Sequence, residues 1–367
     1  MKKFEYVDAL RGWAVLMVMF AHTITKKPNL LPEFKELIAK GAYGVQLFFV
    51  MSAFTLYHSY HSRATREQFS TSNFFLRRIF RIAPLYWLAI SYYLWQDGFG
   101  PRRWLGDARF VSTENILSNF TFTNGFNPEW INSIVPGGWS IGIEFIFYAC
   151  MPFIFSRVSN LRKAFNFFLF ALVFRILVIN LLSSFHPFVN DVFWNEFLYF
   201  SFPSQFPVFA LGVVLYYVVI RGQGFRDISP VALLSLAGLS VGELLIGGGR
   251  LMPNHIMVSM SFVVAVIALS RRPVRFLVNP VITYVGQLSY SMYIVHFAVL
   301  HMMAMMGLDR IVRDGGILNH MARFIMLLSL TVMVSIPIYR TLELPFMKLG
   351  QRFIRWRESS PLSTSLR

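Results

Sequence analysis

The sequence predicts an all-α integral membrane protein, a bundle of about ten transmembrane helices with both termini cytosolic. Three observations predict it: an apolar composition, the spacing of long apolar runs, and the placement of the cationic residues. Of 367 residues, 55% are hydrophobic and 14% are charged, with a mean hydropathy of +0.52. An ordinary soluble domain carries about 25% charged residues. The 39 Phe, 15 Tyr and 8 Trp exceed the needs of one soluble core, and many sit near the ends of apolar runs, where amphipathic rings settle among headgroups.

Taken in order, predominantly apolar runs long enough for a hydrocarbon core fall near 9–25, 41–60, 80–96, 138–156, 164–182, 201–220, 231–248, 254–270, 284–306 and 321–340. Backbone polar groups in lipid must pair within their own segment unless a barrel closes, so each run is predicted to be a helix. Lys2 and Lys3 precede the first run as in a signal peptide. No small-residue cleavage site follows, however, and Asp8, Arg11 and Gly12 interrupt its start, so it is expected to be a retained span. With the N-terminus inside, the inner segments hold roughly twice as many Lys and Arg as the outer ones, which sets the orientation. The longest loop, 97–137, is then outside, and loops of that length are often functional. The division expected is a polytopic membrane domain over 1–345 and a basic cytosolic C-terminal tail over 346–367. The serine-rich end of that tail reads as disordered, and no soluble esterase-like domain is expected.

Several function classes drop out. The net charge of +16 lies in short clusters between apolar runs rather than on a basic face, so no nucleic-acid partner is expected. A single Cys150 permits no intrachain disulfide and no cysteine metal site. Zinc spacings, Gly-rich phosphate loops and nucleophile elbows are all missing, so neither a metal nor a permanently bound cofactor is expected. His186 and Asp191 have the H-x4-D spacing of glycerolipid acyltransferases, but they fall in an outer loop, and the match is read as chance.

Ionisable residues inside spans are functional hypotheses by default. Arg11 and His22 in the first span lie eleven residues apart, on one helical face and roughly 16 Å apart along the axis. This stripe could offer a cation near the cytosol and a titratable base near the outer end; equally, Arg11 could snorkel and His22 cap a bundle contact. Arg78 and Arg81, in the run Arg77-Arg78-Ile79-Phe80-Arg81, face the same way on a helix. They form either a guanidinium clamp for phosphates or a plain positive-inside signal. Glu144 enters the fourth span about one turn below the outer surface, at a depth similar to His22. It could fix that histidine's tautomer, or simply join two helices. His296 in the ninth span and Glu343 at the inner end of the last are further candidates. A transporter or flippase using His22, Glu144 and His296 as a proton relay is the alternative these residues allow. Inverted repeats would favour it, and none is visible.

Five segments in order resemble the acyltransferase 3 family of bacterial membrane O-acyltransferases. They are Asp8-Ala9-Leu10-Arg11-Gly12 with His22 completing an R-x10-H pattern; Phe48 to Phe54 around Ser52; Arg77 to Trp87; Trp139-Ser140-Ile141-Gly142-Ile143-Glu144; and Ser289 to His296. The resemblance implies a ten-helix membrane domain in a bacterial inner membrane. It makes His22 the essential histidine with Arg11 its companion, and puts Arg78 and Arg81 near the phosphates of acetyl-coenzyme A, a donor substrate. It further implies a glycan or lipid-linked sugar acceptor, with polysaccharide assembly proteins as partners; the expected mechanism has Glu144 orient His22. Trp139, Ser140, Ser52, His296 and Glu343 complete the expected site, and Trp130, Asn124 and Asn127 of the outer loop are expected to touch the acceptor. The chain departs from the family where Gly138 replaces a frequent His, Phe145 a second acid, and Ala53 a Gly.

Overall fold

A computed structural model describes residues 4–24, 30–100, 110–185, 191–224, 253–308, 311–312 and 316–359, together with scattered positions between 230 and 241. All regular structure among the described residues is helical. The helices are α1 (Glu5–His22), α2 (Pro32–Ala39), α3 (Gly44–Ala64), α4 (Ser70–Asp97), α5 (Thr113–Phe120), α6 (Trp139–Arg157) and α7 (Leu161–Ser184). They continue with α8 (Asp191–Phe200), α9 (Phe202–Val219), α10 (Asn254–Arg271), α11 (Pro280–Met305), α12 (Gly316–Ile338) and α13 (Leu344–Ser359).

Seven helical stretches among the described residues are long and apolar enough to cross a membrane: Pro32–Ala64, Trp139–Arg157, Leu161–Ser184, Asp191–Val219, Asn254–Arg271, Pro280–Met305 and Gly316–Ser359. Helices α1 and α4 cover two more of the expected runs, but Glu5, Asp8 and Arg11 in one and Arg77, Arg78 and Arg81 in the other dilute their apolar character. The expected run at 231–248 lies largely outside the described residues, as do most of the H-x4-D spacing and the end of the tail.

The chain divides into two compact units. The first comprises Met1–Ser52 and Arg221–Tyr339. Its centre is the crossing of α1 and α11. Gly12 and Gly286 make that crossing close: a Cβ on Gly12 would strike the Ile282 carbonyl, and one on Gly286 would overlap that of Asp8. Gly41 and Gly44 do the same against the Met17 and Ala14 carbonyls on α1. Small residues let backbones approach where lipid supplies no hydrophobic drive. Trp13 Nε1 donates to the Leu277 carbonyl at 2.9 Å, tying α1 to the turn before α11.

The second unit comprises Ala53–Ile220 and Arg340–Arg367. Here α7 packs on α9, α6 on α9, and α13 on α4. Residues 346–359, expected as part of the tail, are helical. Their amphipathic face explains it: Gly350 lies against the Phe80 ring, and Ile354 is buried. At the far end the Glu358 carboxylate accepts from the backbone N–H of Gln68 (2.9 Å) and Phe69 (3.1 Å) and from Asn73 Nδ2 (2.6 Å). It thereby places an anion against donors at the start of α4 that the helix itself leaves without partners.

Residues 110–137 of the long loop are also more ordered than their lack of periodicity suggests. Ser112 caps α5 by accepting from Asn115 N–H at 3.2 Å. Asn115, Ser118, Asn119 and Ser133 bury their polar groups in a mutual network.

Candidate active site

In the first unit the structure brings His22 to His296. His22 ends α1, and His296 lies two-thirds of the way along α11, so the glycine crossing that seats one helix on the other also brings the imidazoles together. His22 Nδ1 is 3.0 Å from His296 Nε2. The ring planes are within 9° of each other and the centroids are 5.2 Å apart. That separation exceeds the nitrogen distance by one ring radius at each end, so the rings meet edge to edge in nearly one plane. This is the geometry of an in-plane hydrogen bond, not a face-to-face stack. His296 is fully buried, and its Nδ1 lies 2.7 Å from the Tyr293 carbonyl, one turn earlier on α11. Phe297 packs against both imidazoles, at 4.6 Å from His22 and 4.1 Å from His296, and Tyr293 flanks His296.

A cation completes this end of the unit. Arg323 on α12 is buried and donates through Nη1 to the carbonyl of Thr23, the residue after His22. A guanidinium at the C-terminus of α1 complements the helix dipole and satisfies a carbonyl the helix leaves without a partner. His320, one turn before Arg323, stands edge-on to Phe20. Sequence reasoning missed Arg323, although its position two residues inside an expected span was the signal. Arg11 lies half-buried on the same helix as His22, with its guanidinium 3.9 Å from Asp8.

In the second unit, Glu144 accepts a hydrogen bond from Tyr148, one turn further along α6. Arg78 and Arg81 on α4 are within electrostatic reach of the same phenol. The expected arginine pair and Glu144 therefore belong to one cluster, with Tyr148 as the member that sequence reasoning missed. The i, i+4 spacing of Glu144 and Tyr148 was available as a sign of it.

Two departures from the family pattern have a local explanation. A Cβ at Gly138 would meet the Tyr86 hydroxyl and the Val135 carbonyl, so Tyr86 fills the space a side chain would need. Phe145 stacks face to face on Phe122 at 3.7 Å and 1°, and Phe122 in turn stacks on Tyr86 at 5.4 Å. Phe122 has a φ of 60°, a left-handed conformation uncommon for a bulky residue, and the stack pins the long loop to α6 there.

The remaining expected residues have mixed placements. Trp139 stacks on Phe200 at 4.2 Å, and Ser140 Oγ donates to the Gly137 carbonyl at 3.0 Å, so both brace the start of α6. Glu343 is buried in a π-helical turn over Tyr339–Glu343, a distortion frequent at functional sites. Ser52 lies mid-way along α3. Asn124 is fully buried and donates to the Ile131 carbonyl at 3.1 Å. Asn127 Oδ1 accepts from Glu129 N–H at 2.8 Å. These two amides brace the loop's own shape; Asn127 and Trp130 are half-buried. Among the described residues no group of three His, Cys, Asp or Glu side chains is placed to hold a metal.

A family model described as an acyltransferase domain matches residues 4–340. A Staphylococcus aureus (strain COL) protein provisionally named an O-acetyltransferase is 23% identical over 98% of this chain and 60% of its own length. A protein of Acidianus two-tailed virus provisionally named an acetyltransferase is 24% identical over 82% of this chain and 85% of its own. The exopolysaccharide production protein ExoZ of Rhizobium meliloti (strain 1021) is 26% identical over 85% of this chain and 91% of its own. The chain thus spans about three-fifths of the length of the staphylococcal relatives it matches. No solved structure matches it.

Proposed function

This chain belongs to the acyltransferase family whose domain it matches over residues 4–340, and on that premise we propose that it transfers an acetyl group from cytosolic acetyl-coenzyme A to a glycan hydroxyl at the outer side of a bacterial inner membrane. The topology proposed with it is ten spans and two cytosolic termini. The observation that carries the reading is the His22–His296 pair: an imidazole held in plane by a second imidazole, at the end of the helix that also carries Arg11. A histidine so held is suited to general-base work. His22 takes the proton of the acceptor hydroxyl as its oxygen attacks the thioester carbonyl. The tetrahedral intermediate then expels coenzyme A as a thiolate, which recovers a proton from His22.

Arg78 and Arg81 are assigned to the donor's phosphates, with Arg11 as a third cation. Glu144 and Tyr148 are assigned to the same donor-side cluster. Acetyl-coenzyme A enters as substrate. The glycan acceptor, and any polysaccharide assembly partner, is supported by the name of the rhizobial relative, an exopolysaccharide production protein.

The test uses the full chain purified in detergent, radiolabelled acetyl-coenzyme A and supplied membrane glycans. Wild type should move label from the donor, His22→Ala should not, and the double variant Arg78→Ala with Arg81→Ala should need more donor for half-maximal rate. A wild type that neither binds nor turns over the donor would end the transferase reading and bring the proton-relay transporter forward.

A further inference from the structure

We propose that His296 is a positioning residue that fixes the tautomer of His22, protonated at Nδ1, and so makes Nε2 of His22 the reactive nitrogen. The geometry stands by itself; the kinetic consequence rests on the acyltransferase reading above.

A backbone carbonyl only accepts, so the 2.7 Å contact between His296 Nδ1 and the Tyr293 carbonyl puts a proton on that nitrogen. A neutral imidazole carries one N–H, which leaves His296 Nε2 as a bare acceptor. Two lone pairs cannot share a 3.0 Å contact, so the proton between the rings belongs to His22 Nδ1. His22 is then neutral with its lone pair on Nε2. The other bookkeeping makes His296 a cation donating to His22. That would place a full charge on a completely buried ring, a costly state, and would leave His22 with its only lone pair already used.

The arrangement also favours the reacting state. When His22 takes a proton at Nε2 it becomes a cation, and its Nδ1–H bond to His296 becomes charge-assisted and stronger. His296 in turn leans on the Tyr293 carbonyl through its own N–H. An interaction that strengthens as charge develops lowers the barrier, whereas one equal in both states does not. A carbonyl-backed imidazole thus does at His22 what a buried carboxylate does in hydrolytic triads: it selects the tautomer and supports the cation. The built-in asymmetry is local, because Tyr293 and His296 are one turn apart on α11 and fix each other without help from another helix.

The test has two readouts on full-length protein labelled with 15N-histidine in detergent, the His22 signals being assigned from their loss in His22→Gln. Wild type should show His22 protonated at Nδ1 and bare at Nε2. In His296→Leu the ring should revert to the Nε2–H form that free imidazoles favour, and kcat should fall by about 10²–10⁴-fold, with the KM for acetyl-coenzyme A changed by less than about 3-fold. His296→Gln, whose amide oxygen can accept from Nδ1–H, should restore both the tautomer and a large part of kcat. Finding the Nε2–H form in wild type would overturn the proposal. So would a folded His296→Leu protein with wild-type kcat. If His296→Leu does not fold, the wild-type spectrum and the Gln variant decide. If wild type transfers no acetyl group, the functional reading falls, and the spectrum still decides the tautomer.

Discussion

Helices α1 and α7 are both expected spans, yet they are built in opposite ways. Beyond its first turn α7 carries a single charge, Arg175, and buries only Ala164, Phe168 and Ala171. Its Phe170, Val173, Leu177 and Leu181 are all exposed. By contrast, α1 carries Glu5, Asp8 and Arg11, buries ten of its eighteen residues, and is crossed closely by α11. On α7 the uninterrupted apolar run is left uncovered by the described residues, whereas on α1 the interrupted run with glycine at a crossing is covered by protein. The proposed base lies on the second kind of helix, so a span that hydropathy alone does not pick out is the one to probe first.

Replacement of His22 should cut deepest into activity. His22→Ala removes the proposed base and is expected to lower kcat by at least about 10²–10⁴-fold, with the fold intact by thermal melting in detergent. Activity retained within a few-fold would mean that α1 is packed for stability alone. Gly286→Leu tests the packing directly. Its side chain would overlap the Asp8 backbone, and the expected cost is about 1–3 kcal/mol or more, because a backbone yields less readily than a side chain. It should lower the melting temperature and lose the His22–His296 hydrogen bond together. A change in one without the other would separate crossing from site.

That crossing also shows how far the sequence could be read. Apolar runs located the helices, because each span's length and composition are local properties. The R-x10-H spacing singled out Arg11 and His22, and Ser289 to His296 stood out as a motif. Nothing local paired His22 with His296, since their contact depends on two glycines 274 positions apart that set the register of α1 on α11. Helix α13 was hidden for the same reason. Its basic, serine-ended sequence looks like tail, and what holds it is Glu358 reaching partners 285 to 290 positions earlier in the chain, at Gln68, Phe69 and Asn73.

Glu358→Gln measures that tie. The neutral amide keeps one acceptor oxygen but loses the charge that faces the start of α4, so a loss of about 0.5–2 kcal/mol is expected. It should appear as faster amide hydrogen exchange at residues 68–73, with donor turnover nearly unchanged. Unchanged exchange would mean that α13 is held by Gly350 and Ile354 alone.

The smallest effect should come from α7. Leu177 is 65% exposed on a helix long and apolar enough to cross a membrane. Shortening it to Ala opens no cavity in the protein, because lipid can occupy the vacated volume, and the cavity cost of a buried Leu→Ala change does not apply. Leu177→Ala should therefore shift stability by no more than about 0.5 kcal/mol and leave acetyl transfer at the wild-type rate, measured in the same detergent and again in lipid bilayers. A loss of 2 kcal/mol or more, roughly what a buried Leu truncation costs, would mean that this face of α7 is covered by protein in the membrane. The contrast with α1 would then be one of partner rather than of solvent.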